Sequence, residues 1–190
     1  LFPDRLVAVL AVVYLIFTYG YSRSASDVSE EAIRLGRLLV DLMPDNDETR
    51  SLLRLILLQH HRRNSRIVGA DLVTLEDQDR FRWDSSMIAE ALTITQLPGH
   101  RRGHYRVQAD LAAVHATARS AADTDWPRIV RLYDELLRLL PSSSSKPSSQ
   151  DPLWGGVGDS RRWSSTRRSS PTSSRGASGP ASKSTSSWAG

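Results

Sequence analysis

The sequence predicts an all-α protein made of antiparallel helix pairs, with one small β-hairpin or extended loop near residues 67–75 and a disordered C-terminal tail. Three observations predict it. Apolar residues recur at three- and four-residue steps in several segments before Pro141, the spacing that lines one face of a helix. Asp, Pro and Gly stand where those segments start and stop. After Pro141 the composition changes: Ser supplies 18 of residues 142–190 and no apolar period survives. Such a segment cannot bury enough surface to offset its chain entropy. The chain therefore divides into a helical region, 1–140, and a tail, 141–190.

Leu6 to Phe17 is an unbroken apolar run, read as a buried helix capped at Asp4 and stopped near Gly20. At about 12 residues the run is short of the roughly 20 that span a bilayer. Asp27 and Glu30 offer a capping box for a second helix, whose stripe of Ala32, Ile33, Leu35, Leu38, Leu39, Leu42 and Met43 ends at Pro44. Asp45 and Glu48 open a third. Its Leu52, Leu53, Leu55, Ile56, Leu57 and Leu58 leave no polar face, so it belongs at the centre. A short turn between helices two and three makes them an antiparallel hairpin. Arg62 to Arg66 is a polar exit, and Gly69 sits near the turn of the 67–75 hairpin. Asp84 caps a fourth helix from Ser85 to about Gln96, broken by Pro98-Gly99, and Tyr105 to about Ala118 is an Ala-rich fifth.

The sixth helix is the clearest. Asp123 or Asp125 caps it and Pro127 suits its first turn. Trp126, Ile129, Val130, Tyr133, Leu136, Leu137 and Leu140 recur on one face. A Trp near the start, a Tyr two turns on and a closing Pro is the pattern of the first helix of a tetratricopeptide-type pair. With no helix after it, this helix is expected to leave Ile129, Leu132 or Leu136 exposed, and residues 1–140 to be poorly soluble.

Residues 1–140 carry 18 Arg, no Lys and 19 acidic residues, so the basic balance of the whole chain comes from the tail and no basic face announces nucleic acid. There is no Cys, which excludes disulfides and thiol catalysis. His60 and His61 are adjacent and point about 100° apart on a helix, so they cannot form an i, i+4 metal pair. His100 and His104 fall in a Pro/Gly-rich loop, and His115 reads as a packed or surface residue. Glu76, Asp77, Asp79 and Asp84 are the best candidates for acid–base or cation chemistry, but Arg80 and Arg82 offer them a simpler role as ion-pair partners holding the loop against Trp83. No phosphate-binding Gly-rich loop or nucleophile elbow occurs. No catalytic, cofactor-binding or metal-binding residue is expected. The chain begins at Leu1, within an apolar pattern, and reads as a fragment.

The apolar run Leu6–Phe17, Glu31-Ala32-Ile33-Arg34-Leu35, Leu75-Glu76-Asp77-Gln78-Asp79-Arg80, Trp83-Asp84 and the Thr124-Asp125-Trp126-Pro127 helix form an ordered series. In that order they resemble the C-terminal helical extension of a bacterial subfamily of extracytoplasmic-function RNA polymerase sigma factors, over about residues 1–140. The resemblance implies a cytoplasmic part in transcription initiation, with RNA polymerase core and the upstream sigma domains as partners. Promoter DNA would be met only through sigma domains that are not in this sequence. It implies neither a membrane nor a small-molecule substrate. An aromatic-lined groove between helix pairs would suit protein contacts, with Trp83, Trp126 and Tyr133 as candidates for the partner surface. A free-standing helical scaffold unrelated to transcription is the alternative; a small hydrolase using the Glu76–Asp84 cluster is a third. The tail departs from the resemblance, because in that subfamily another helix follows. One codon choice for Ser142–Gln150 reads in a shifted frame as Val-Val-Glu-Gln-Ala-Val-Val-Ala, so the tail is read as the product of a frameshift near Ser142.

Overall fold

The structure, a computed structural model, describes residues 2–69, 71–94 and 102–139. The expected tail, the frameshift point at Ser142, Pro98-Gly99, His100 and the closing Leu140-Pro141 lie outside them. Within them are six α-helices: α1 (Phe2–Ser22), α2 (Ser26–Leu42), α3 (Asp47–His60), α4 (Ser85–Ile94), α5 (His104–Thr117) and α6 (Trp126–Leu139). One two-stranded antiparallel sheet, β1 (Ile67–Val68) and β2 (Asp71–Leu72), stands between α3 and α4, with Gly69 at φ +66° in its turn. The all-α class and the hairpin at 67–75 are as the sequence predicts.

Contacts between particular residues give the directions of the helices. Gly36, partway along α2, faces Leu53 and Ile56, partway along α3, across an antiparallel hairpin. The chain then returns along α3: the Asp84 N–H, just before α4, donates to the carbonyl of His61, just after α3. Arg37 and Glu90 join α2 to α4 by paired hydrogen bonds of 2.9 and 2.8 Å. α5 runs parallel to α3, with Arg54 against Asp110 and Leu58 and His61 near Ala112 and His115. α6 then packs antiparallel on α5. Stacked helix pairs of this kind bury the helix at the middle, and α3 duly holds Leu52, Leu55, Ile56 and Leu57 out of water. Each such side chain stabilises the fold by about 1.5–3 kcal/mol relative to exposure.

Two apolar clusters result. The larger joins α1, α2, α3, α4 and α5 around Phe17, Ile33 and Leu55. The smaller sits between α5 and α6: Val107, Leu111 and Val114 meet Ile129, Leu132 and Leu136. The expectation that α6 exposes Ile129, Leu132 or Leu136 is thus corrected. These side chains face back onto α5, whose Ala-rich turns let α6 approach, while Leu137, assigned to the apolar stripe, is exposed.

Helix ends differ from the sequence reading in instructive ways. α1 ends at Ser22, near Gly20 as expected, but Gly20 is not itself the stop. It lies inside the helix, where a Cβ would come 2.7 Å from both the backbone N and the hydroxyl of Ser29, so its small size lets α2 cross closely. The reversal falls instead at Ser24, held at φ +56°. Asp4 lies within the first turn of α1 rather than ahead of it. The Asp27–Glu30 capping box does not form: α2 begins at Ser26 behind Ala25, which has no side-chain cap. Asn46, not Asp45, caps α3, its side-chain oxygen accepting from the Thr49 N–H at 3.0 Å. Asp84 and Asp125 cap α4 and α6 as expected, accepting from Met87 and Arg128.

α1 is also more exposed than its reading as a buried helix. Leu10, Val13, Tyr14 and Phe17 enter the core, while Val7, Val12, Leu15 and Tyr19 lie open on the other side. Its Arg5–Ser22 stretch has a mean hydropathy of 1.6 and is, by length and composition, sufficient to cross a membrane; a third of it is buried within the fold.

Candidate functional site

The segment between α3 and α4, expected to begin as a polar exit, is instead fastened into the protein at three points. Arg66 donates to the carbonyl of Tyr21 at 2.7 Å and lies 3.7 Å from that ring's centre, which holds the segment to the end of α1. Trp83 is buried, its indole N–H donating to the Ser65 hydroxyl at 2.9 Å, with the His61 ring edge-on at 4.8 Å. Arg80 reaches α5, where it donates to the carbonyls of His115 and Ala118 at 2.9 and 2.8 Å. These carbonyls end a helix and have no partner in the next turn, so a guanidinium there completes them. The same guanidinium lies 4.3 Å from the Trp83 ring centre.

Between Arg80 and Trp83 runs a 3-10 turn, Arg80–Arg82, started by Asp79, whose carboxylate accepts from the Phe81 N–H at 3.0 Å. Both ends of this turn are fixed, and Phe81 between them is 101% exposed. Of the three aromatic residues expected at a partner surface, Trp83 is the one that the structure turns inward. Trp83 is buried because its polar N–H finds Ser65 in the interior. Trp126 and Tyr133 are half-buried against the α5–α6 cluster, and burial pushes the Tyr133 hydroxyl up to about 12. The exposed aromatic of this segment is Phe81, two residues from Trp83. The dense charge around the two aromatics marks the segment in the sequence, but nothing there tells which ring turns inward.

The acidic residues do not converge. Asp77 accepts from the Thr74 hydroxyl, Asp79 starts the 3-10 turn, and Asp84 caps α4 with Arg63 3.7 Å away. The hydrogen bond from Ser86, with smaller contributions from the α4 backbone and Arg63, lowers the pKa of Asp84. Arg80, expected to pair with this cluster, instead uses the end of α5. Behind the turn, His60, His61 and His115 are buried, and desolvation, helped by nearby arginines, pushes each to about 4. Among the described residues no hydrogen-bond partner meets the ring nitrogens of His60 or His61, and no group of three or more His, Asp or Glu could hold a metal ion. His104, expected in a loop, is the first residue of α5 and lies 3.8 Å from Glu48.

A second polar place lies between α3 and α5. A cleft of about 80 Å³ is walled by Asp47, Arg50, Arg54, Arg106 and Asp110, with Ile94 at one side. Arg50 pairs with Asp47 at 2.7 Å and Arg54 with Asp110 at 2.5 Å. Asp110 also takes Arg102 at 2.9 Å, and Arg102 reaches on to Glu135 at 2.8 Å. This cleft is hidden in the sequence, since α3 reads as almost wholly apolar. The available signal was a charged pair four apart in each helix: Arg50 and Arg54, Arg106 and Asp110.

Residues 5–97, just under half of the chain, match the model of a family described as a family of unknown function, DUF6596. An uncharacterized protein of Rhizobium meliloti (strain 1021) is 45% identical over 148 residues, covering 73% of this chain and 35% of its own length. The chain spans about a third of that relative. No solved structure matches it.

Proposed function

We propose that residues 1–140 are the regulatory, protein-binding extension of a bacterial extracytoplasmic-function sigma factor, acting in transcription initiation in the cytoplasm. Its partners in this reading are RNA polymerase core and the sigma domains of the intact protein, and promoter DNA is read by those domains. The observation that carries the interaction role is Phe81, wholly exposed on a turn whose two ends are fastened. An exposed Phe forgoes about 1.5–3 kcal/mol of burial. Holding it rigid lowers the entropy cost of inserting it into a partner's pocket.

The ordered series from the α1 run to the Trp126-Pro127 start of α6 supports the assignment to transcription. The Rhizobium relative, in which the matching region belongs to a much longer chain, supports only the reading of this region as one part of a larger protein. With 18 Arg against 19 acidic residues, the helical region has no charge surplus with which to hold a duplex. The reading gives it no catalytic role, in keeping with Asp77, Asp79 and Asp84, which each serve a local turn or cap. Immobilised protein should retain RNA polymerase core or the matching sigma domains and not duplex DNA. Retention of duplex DNA, with neither protein held, would count against it.

A further inference from the structure

We infer that the outward face of α1 pairs with the same face of a second copy of this chain, the two helices running antiparallel and crossing at Val12. α1 carries two apolar faces. One, with Leu10, Val13, Tyr14 and Phe17, is spent on the core. The other runs Arg5, Ala8, Val12, Leu15 and Tyr19, all of them exposed. Their spacing alternates between three and four residues. That is the 3.5-residue period at which one helix seats its side chains between those of another. Val12 is 53% exposed, Leu15 61% and Tyr19 58%. Thr18, beside this seam, returns its hydroxyl to the carbonyl of Tyr14 at 2.7 Å and so needs no acceptor from a partner.

The seam matches itself. In an antiparallel pair that crosses at Val12, Ala8 of each copy falls beside Leu15 and Ile16 of the other. The small residue then faces the large ones, which fills the space between the helices. A parallel pair would set Ala8 on Ala8 and leave a gap. Arg5 of each copy falls beside Tyr19 of the other. Its stem covers the ring while its head stays at the rim in water. From Val7 to Tyr19 the helix carries no charge, so the pairing buries none. A contact of this kind is isologous and closes after two copies.

The face is also large enough. α2 runs back along α1 from the Gly20–Ser29 contact, which brings its Leu38 and Leu42 level with the first half of α1. Both are exposed, one helical step beyond Leu35 and Leu39, which lean on the core. With Val9 and the seam, these side chains expose on the order of 700 Å², close to the roughly 800 Å² that each partner gives up in an interface of standard size. Crossing a bilayer would instead require the face of α1 that the core already holds.

The test combines sedimentation with cross-linking of the full chain, which has no Cys of its own. At high micromolar concentration the parent should sediment as a dimer, and Val12→Glu and Leu15→Glu as monomers that keep their helical content. Cysteine variants test the geometry without a buried charge. Under mild oxidation Val12→Cys should link two chains at least about tenfold faster than Leu137→Cys, an exposed position on α6, because pairing holds the two thiols together. In a mixture, Arg5→Cys and Tyr19→Cys chains should link to each other rather than like to like. A monomeric parent, including one that collects on phosphatidylglycerol vesicles, would overturn the proposal. So would a dimer that survives both Glu substitutions, or equal linking rates for Val12→Cys and Leu137→Cys. No transcription component enters this test, so a failure to bind polymerase leaves its result intact.

Discussion

The guanidinium of Arg80 donates to the backbone carbonyl of His115 at 2.9 Å, tying the turn before α4 to the end of α5. It makes a second bond, to Ala118, and the two hold one edge of the turn that displays Phe81. Arg80→Met keeps much of the side chain's apolar length and removes both bonds. We expect a loss of about 2–3 kcal/mol in urea unfolding, the usual scale for hydrogen bonds from a charged donor. A loss below about 0.5 kcal/mol, the scale of an ordinary surface change, would show that Arg80 does not fasten the turn.

Acid should unfold the protein early. His60, His61 and His115 sit near 4 in the folded chain, against 6.5 as the ordinary value. The unfolded chain therefore takes up these protons first. Stability is fully present above pH 6.5 and falls as pH drops from 6.5 towards 4, by up to roughly 3 kcal/mol for each histidine. Urea unfolding between pH 7.5 and 4.5 reads this directly. His60→Leu, which also removes two buried ring nitrogens without partners, should flatten the profile. An unchanged slope in that variant would show that His60 is not one of the groups responsible.

The α1–α2 corner makes opposite predictions at two neighbouring positions. Gly20→Ala sets a methyl 2.7 Å from the Ser29 backbone and hydroxyl, and should cost about 1–3 kcal/mol through overpacking. Ser24→Gly relieves a left-handed residue at φ +56° and should stabilise by about 1 kcal/mol. Thermal unfolding of both variants separates the cases. Equal and small effects would mean that the corner yields more readily than its geometry implies.

The fold was largely legible in the sequence because it rests on local signals. The three- and four-residue apolar period, Pro44, Asp84 and the Asp125-Trp126-Pro127 start each act within a turn or two of chain. What the sequence hid depends on distant neighbours. Gly20 looks like a helix stop until Ser29 is seen against it. The burial of Ile129, Leu132 and Leu136 depends on α5 rather than on a following helix. Arg54 and Asp110 meet only because α3 and α5 lie side by side. Trp83 and Phe81 share one segment, and the choice of which turns inward is made by Ser65, through the indole N–H.

Phe81→Ala decides most directly whether this is a protein-binding region built around that exposed ring. The variant should unfold within about 0.5 kcal/mol of the parent, because Phe81 is fully exposed and packs little. In a titration against RNA polymerase core and the matching sigma domains, the parent chain should bind one of them and Phe81→Ala should bind at least about tenfold more weakly. Equal binding by parent and variant, or no binding of either protein by the parent, would contradict the account.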